Sequence, residues 1–357
     1  MTTTTLKNHR DVGLDIARGT ALTGIVAAHT LSDSSMLLYV LGNGIAPLMF
    51  ALLTGVTMAR TGIPSMANAL LTGTFLFALG VLLGYTETPV IPVLQTLGVI
   101  HVTTAVVARL GKVVAGVMGL AAITTGPFIQ AYLSDVSQGP FAPGFNGEWD
   151  GSLQSLLLNG TYPLVTWWGV PLIGFAIGSL NASPFKGVLA LGIPVGLFSA
   201  WHLARGSNFR MFGDVSHPLG PVSDNIADAP WVHALPYGHT GSALAAIIAA
   251  SISMGIIWTV NGVNTGLSGT YGANTLSGYC INVLLCISPE ARGGVPEWLL
   301  QCGLIAGVVF LSTRYIGKGP VEYVRSLIVS AIIHRGPKQT PRAPLEPPEE
   351  ESSGKPA

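Results

Sequence analysis

The chain has 357 residues, of which 49% are hydrophobic and only 10% charged, and its mean hydropathy is +0.55. Soluble domains carry about 25% charged residues, so this composition excludes an ordinary soluble enzyme and predicts a multi-pass membrane protein. Seventeen basic and 17 acidic residues balance to zero net charge, which excludes a polyanion groove and, with it, nucleic acid as a partner.

A spanning helix needs about 20 mostly apolar residues, because backbone groups in hydrocarbon must be satisfied within the segment. About ten stretches meet that need, which predicts an all-α, polytopic helical bundle. In chain order they run Gly13–Leu31, Asn43–Arg60, Met66–Tyr85, Pro89–Arg109, Lys112–Leu133, Thr161–Leu180, Phe185–Leu203, Tyr237–Val260, Ser268–Ser288 and Glu297–Tyr315. The first is long, contains a charge motif and lacks a small-residue cleavage site after it, so it is expected to remain uncleaved. Lysine and arginine accumulate in cytoplasmic loops. With the N-terminus inside, 14 of the 17 basic residues fall on the cytoplasmic side and only Arg205, Arg210 and Arg292 fall outside. That split predicts an even number of spans with both ends cytoplasmic.

The organisation expected is a cytoplasmic segment at 1–12, a membrane domain at 13–316, an interfacial helix at 317–335 and a disordered, Pro- and Glu-rich tail at 336–357. Two long outer loops, 134–160 and 204–236, interrupt the membrane domain. Gly80 and Gly84, Gly174 and Gly178, and Gly192 and Gly196 have the spacing that lets helix backbones approach closely. The three cysteines, Cys280, Cys286 and Cys302, lie in apolar runs and make neither a disulfide framework nor a metal-ligand spacing.

Helix-forming Leu14-Asp15-Ile16-Ala17-Arg18-Gly19 leads to His29 in the first span. Asp15 and Arg18 are three residues apart and can pair on one face. Eleven residues separate Arg18 from His29, which returns to nearly the same face about 16 Å further along. Ionisable residues within a span are functional candidates by default; the plainer reading is an inner anchor at Arg18 and a capping histidine. Other histidines gather at the outer side: His202 ends the seventh span, His239 opens the eighth, and His217 and His233 lie in the loop between them. No HxxxH or HxH pair and no cysteine neighbour accompanies them, so no metal site is expected, and proton handling is the better chemistry. His101, between Gln95 and Arg109, reads as a hydrogen-bonded interior residue. Tyr162-Pro163 and Trp167-Trp168 open the sixth span as interfacial anchors or as the lining of a cavity. No Walker loop, dinucleotide fingerprint or GxSxG elbow is present.

In order along the chain, these residues resemble the bacterial membrane acyltransferases related to heparan-alpha-glucosaminide N-acetyltransferase, in particular the YeiB-like branch. The resemblance rests on Leu14, Asp15, Arg18 and Gly19 with His29; on Ala46-Pro47-Leu48-Met49-Phe50 through Gly55; on Gly160-Thr161-Tyr162-Pro163 with Trp167 and Gly174; on His239-Thr240-Gly241-Ser242; and on Gly317-Lys318-Gly319-Pro320-Val321-Glu322. Gly272 to Asn282 stands where relatives read "GrmaLT-x-Y-x-x-H", with the arginine and the histidine both replaced.

The resemblance implies transfer of an acyl group, acetyl in the first instance, from cytoplasmic acetyl-CoA or another acyl-CoA to a hydroxyl or amine of an envelope glycan or glycolipid outside a bacterial plasma membrane. It implies His29 as general base or acyl carrier. With His239 as rival and Asp15 as the partner of Arg18, these are the candidate catalytic residues. Arg18 comes from the motif as a CoA-phosphate ligand, and Arg60, Arg109 and Lys112 join it from topology alone. Tyr162, Trp167 and His202 are the candidates for the acceptor site. Membrane lipid is an expected partner and a homo-oligomer is left open. The competing expectation is a non-catalytic membrane protein, such as an exporter of lipid or small solutes.

Overall fold

The computed structural model describes residues 11–31, 45–86, 88, 90, 92–133, 153, 155–159, 162–180, 183–205, 239–260, 266–287 and 293–333. The described residues form helices and connections with no strand. In chain order the helices are α1 (Val12–Thr30), α2 (Ala46–Thr61), α3 (Met66–Gly84), α4 (Leu94–Ala108), α5 (Lys112–Leu133), α6 (Leu164–Trp167), α7 (Gly169–Gly178), α8 (Pro184–Arg205), α9 (His239–Thr259), α10 (Gly266–Ala273), α11 (Thr275–Leu285), α12 (Val295–Ile316) and α13 (Pro320–Ile333), with a π-helical turn at Ser155–Asn159 before α6. Most of the two expected outer loops, residues 1–10 and the tail from 334 lie outside the described residues.

Local chemistry sets the ends of these helices. Asp11 caps α1 by accepting from the Leu14 N–H at 3.0 Å, and Ser65 does the same for α3 through Asn68. Helix α12 stops where Gly317 turns left-handed at φ 82°. Two of the ten expected spans are broken. The sixth divides at Trp168, because Pro171 has no N–H to offer the Trp167 carbonyl one turn earlier. The ninth divides at Asn274, whose side-chain amide donates to the Thr270 carbonyl at 2.8 Å and ends α10 locally. The fourth begins later than expected, at Leu94, because Pro89 and Pro92 precede it.

Helix α1 is central: it packs against α2, α9, α10, α11 and α12. Leu22, Leu48, Leu52, Leu53, Ile257 and Ile305 are fully buried around it. Of the small-residue pairs, Gly174 and Gly178 lie against Leu52 and Val56 of α2, and Gly80 lies against Gln95 of α4, whereas Gly192 meets nothing. A Cβ on Gly174 would run into the Leu52 carbonyl, so the α2–α7 crossing depends on glycine there.

Among the described residues, α3 and α12 are long and apolar enough to cross a membrane. Other apolar helices are shorter, including α4, α11 and the α6–α7 stretch. The outward faces are rich in large apolar side chains, such as Leu82, Val113, Val117, Leu120, Val188, Leu299 and Leu311. Helix α13 directs Val324, Leu327, Ile328 and Ile332 outward, while its Glu322 and Arg325 line a partly open cavity.

Candidate functional site

Two polar centres lie along α1, one near each end. At its start, Arg18 donates to Asp15 Oδ1 at 3.3 Å and to Thr57 Oγ1 of α2 at 2.6 Å. The Asp15 side chain is only 6% exposed, so its carboxylate is covered, while that of Arg18 is 25% exposed. Arg18 lines a cavity of about 380 Å³ between α1, α2, α3, α4, the α10–α11 break and α13. Arg18, Arg325, His101 and Glu322 supply its ionisable groups; Thr54, Thr57 and Thr275 supply hydroxyls; Leu53, Leu76 and Leu97 supply apolar wall. Its mixture of convergent cations and apolar surface is the usual make-up of a ligand pocket.

The break in the ninth span is built into this cavity. Ala273 and Thr275, on either side of Asn274, line it. The first N–H groups of α11 are satisfied from the far end of the chain: Glu322 accepts from Leu276 N at 2.9 Å and Ser277 N at 3.2 Å, and also from the Ser277 hydroxyl. In return, Gly319 N donates to Asn274 Oδ1 at 2.6 Å and Val321 N donates to Ser277 Oγ at 2.9 Å. The Gly317–Glu322 segment is therefore a clamp on the broken helix, with a carboxylate where a helix N-terminus favours negative charge.

At the other end of α1, His29 Nδ1 lies 2.6 Å from Asn282 Oδ1 of α11. Asn282 Nδ2 donates to Gln301 Oε1 of α12 at 3.0 Å, and Gln301 Nε2 donates to Glu297 Oε1 at 3.1 Å. Asn282 and Gln301 are fully buried. Since α1 is one unbroken helix, Arg18 and His29 are separated by about 16 Å of rise. Both face the same partner: Arg18 shares the cavity with α10–α11, and Tyr279, which also lines it, is one turn before Asn282.

The other candidate cations occupy different surroundings. Arg60 pairs with Asp11, the cap of α1, and its Nε donates to the Gly178 carbonyl at 2.9 Å, so it ties together the ends of α1, α2 and α7. Arg109 donates to Ala105 O in its own last turn and to Pro64 O at 2.6 Å. Lys112 is exposed at the start of α5. None of the three lines the cavity. Tyr162 and Trp167 stack edge to face at 4.9 Å, and Trp167 is fully buried in the core; neither lines the cavity. The side chains of His202 and His239 lie outside the described residues, as do His217 and His233.

Sequence reasoning met Asn282 only as the residue standing where relatives carry a histidine, and did not single out Arg325, Gln301 or Glu297. The signal for the last two was present: Glu297 and Gln301 are four apart, which puts both on one face of an otherwise apolar helix. No group of three or more His, Cys, Asp or Glu side chains among the described residues could hold a metal. Comparison with protein-family models, with curated proteins and with solved structures returns no match.

Proposed function

We propose that the chain is a transmembrane acyltransferase that passes an acyl group, in the first instance acetyl, from cytoplasmic acyl-CoA to a hydroxyl or amine of an envelope glycan or glycolipid on the outer side of a bacterial plasma membrane. The observation that carries this reading is the pairing, along one helix and against one partner, of a cation-lined cavity at Arg18 with a hydrogen-bonded histidine at His29. The membrane setting is supported by α3 and α12, of whose apolar stretches only 28% and 17% are buried, and by α13, whose outward face is apolar. Ten spans with both ends cytoplasmic remain the arrangement proposed from the basic-residue split.

The residues of the cavity fit the co-substrate. Arg18 and Arg325 present guanidinium groups suited to phosphate oxygens, and Leu53, Leu76 and Leu97 suit a long, weakly polar arm. Acyl-CoA supplies an activated thioester. His29 supplies the base: its imidazole takes the proton from the acceptor hydroxyl or amine as that atom attacks the thioester carbonyl, the C–S bond breaks, and the departing CoA thiolate takes up the proton to leave as free CoA.

The test uses the full chain in lipid nanodiscs, acetyl-CoA, and an envelope extract from a deletion strain as acceptor, with release of free CoA as the readout. The near-isosteric His29→Gln protein should bind acetyl-CoA as wild type does and lose on the order of 10²-fold in rate. Wild-type turnover in His29→Gln combined with loss in His239→Gln would move the base to His239. Absence of acceptor-dependent CoA release from the wild-type protein would favour the exporter. Mass spectrometry of the deletion strain's glycans and lipids for a missing acyl mass identifies the acceptor.

A further inference from the structure

The line His29–Asn282–Gln301–Glu297 has a direction, and chemistry at one end fixes it. Glu297, as a carboxylate, can only accept hydrogen bonds, so the Gln301 atom facing it at 3.1 Å must be the amide nitrogen. Gln301 then presents its carbonyl oxygen to Asn282, and the Asn282 atom at 3.0 Å must be the amide nitrogen. The Cys286 thiol, 3.9 Å from Nδ2, can donate or accept and does not decide the orientation. With the Gln301 oxygen on its nitrogen side, Asn282 turns its own oxygen to His29 Nδ1 at 2.6 Å. Turning either amide over would set oxygen against oxygen at one link, inside a line whose two amides are fully buried, where an unsatisfied polar group is strongly disfavoured. The scaffold holds both ends of this line together: Trp298 Nε1 donates to the Thr23 carbonyl at 3.2 Å, and Gly294 N donates to the Thr30 carbonyl at 3.1 Å, so the first turn of α12 is pinned to α1.

We infer that Glu297, Gln301 and Asn282 are positioning residues that hold His29 in the tautomer protonated at Nδ1, which makes Nε2 the basic nitrogen. The tautomer assignment stands on the geometry alone; its use in catalysis rests on the acyltransferase reading. The same oxygen serves both charge states, because Nδ1 donates to Asn282 Oδ1 whether the ring is neutral or has taken a proton at Nε2. The line therefore need not rearrange when the base works, which is the advantage of an oriented acceptor behind a general base.

The experiment is nitrogen NMR of the full chain, labelled with ¹⁵N-histidine in lipid nanodiscs, with the His29 signals assigned by their loss in His29→Gln. Wild-type protein at a pH where the ring is neutral should show a protonated Nδ1 and an unprotonated Nε2. Glu297→Gln replaces an acceptor-only end with a near-isosteric group that can point either way, and should produce a mixture of the two tautomers. Glu297→Lys puts a donor-only group at that end, which should turn both amides over and move His29 to the Nε2-protonated form. Acetyl-transfer kinetics give the second readout: Glu297→Lys should lower kcat by on the order of 10²-fold, the scale of a missing base, and leave KM for acetyl-CoA unchanged. A wild-type His29 protonated at Nε2, or an unchanged Nδ1-protonated population in a folded Glu297→Gln protein, overturns the inference. If the tautomers follow the variants while none of the proteins transfers acetyl, the inference stands and the acyltransferase reading fails.

Discussion

The two ends of α1 solve different problems with different chemistry. At the start, Asp11, Asp15, Arg18 and Arg60 are charged and hold one another in ion pairs. At the far end, two neutral amides connect His29 to Glu297. A charge acts over distance and from many angles, which suits the capture of an anionic co-substrate. An amide has a donor side and an acceptor side, so a row of them transmits orientation, which suits setting one proton on one nitrogen. On the proposed reading, the bundle uses ionic groups where a ligand is held and amides where a proton is placed.

The largest effect expected from breaking this contrast is at Arg18. Arg18→Ala removes the guanidinium from a nearly buried Asp15 carboxylate; since Arg18 is itself a quarter exposed, the cost falls below the roughly 3–5 kcal/mol of a fully buried pair. Thermal unfolding in detergent should drop accordingly. The double variant Asp15→Asn with Arg18→Met removes both charges and should restore most of the stability while leaving acetyl-CoA binding weak by calorimetry. Recovery of binding along with stability would reduce Arg18 to a structural pair.

A smaller effect is expected at the clamp between the two ends. Glu322→Gln keeps the shape but removes the charge that accepts from Leu276 N and Ser277 N at the start of α11. A lost cap costs about 0.5–2 kcal/mol, and amide hydrogen exchange should accelerate at Leu276 and Ser277 before the rest of α11. Uniform exchange along α11 would mean that the cap does not hold the break. The smallest effect is expected at Lys112, exposed and away from the cavity lining. Lys112→Ala should leave acetyl-CoA binding unchanged even at low salt; a loss comparable to that in Arg18→Ala would mean that the inner surface attracts the ligand through its overall field and that the cavity is not the determinant.

Helix α1 was the most legible part of the molecule. The spacing of Asp15, Arg18 and His29 already implied one pair and one stripe, because a single unbroken helix fixes those relations through its period alone. Hydropathy was less informative about continuity. It averages side chains over a window and does not register a missing N–H at Pro171 or an amide at Asn274 that ends a helix on itself. Grouping the cations by expected topology placed Arg18, Arg60, Arg109 and Lys112 on one side, but topology has no information about partners. Arg60 and Arg109 face a capping carboxylate and backbone carbonyls, whereas Arg325, from the C-terminal helix, shares the cavity with Arg18.

The sequence by itself determined what is local or additive: an apolar, charge-poor helical chain, and the register of Arg18 against His29. Only the tertiary structure decided which residues complete the two centres. Asn282 stands 253 positions from His29 and Glu322 stands 46 from Leu276, and a lone amide or carboxylate in an apolar run has the same appearance in sequence whether it faces a histidine, a helix N-terminus or lipid. Burial settles the difference, because a polar group removed from water has to find a partner, and which partner it finds depends on how the helices pack.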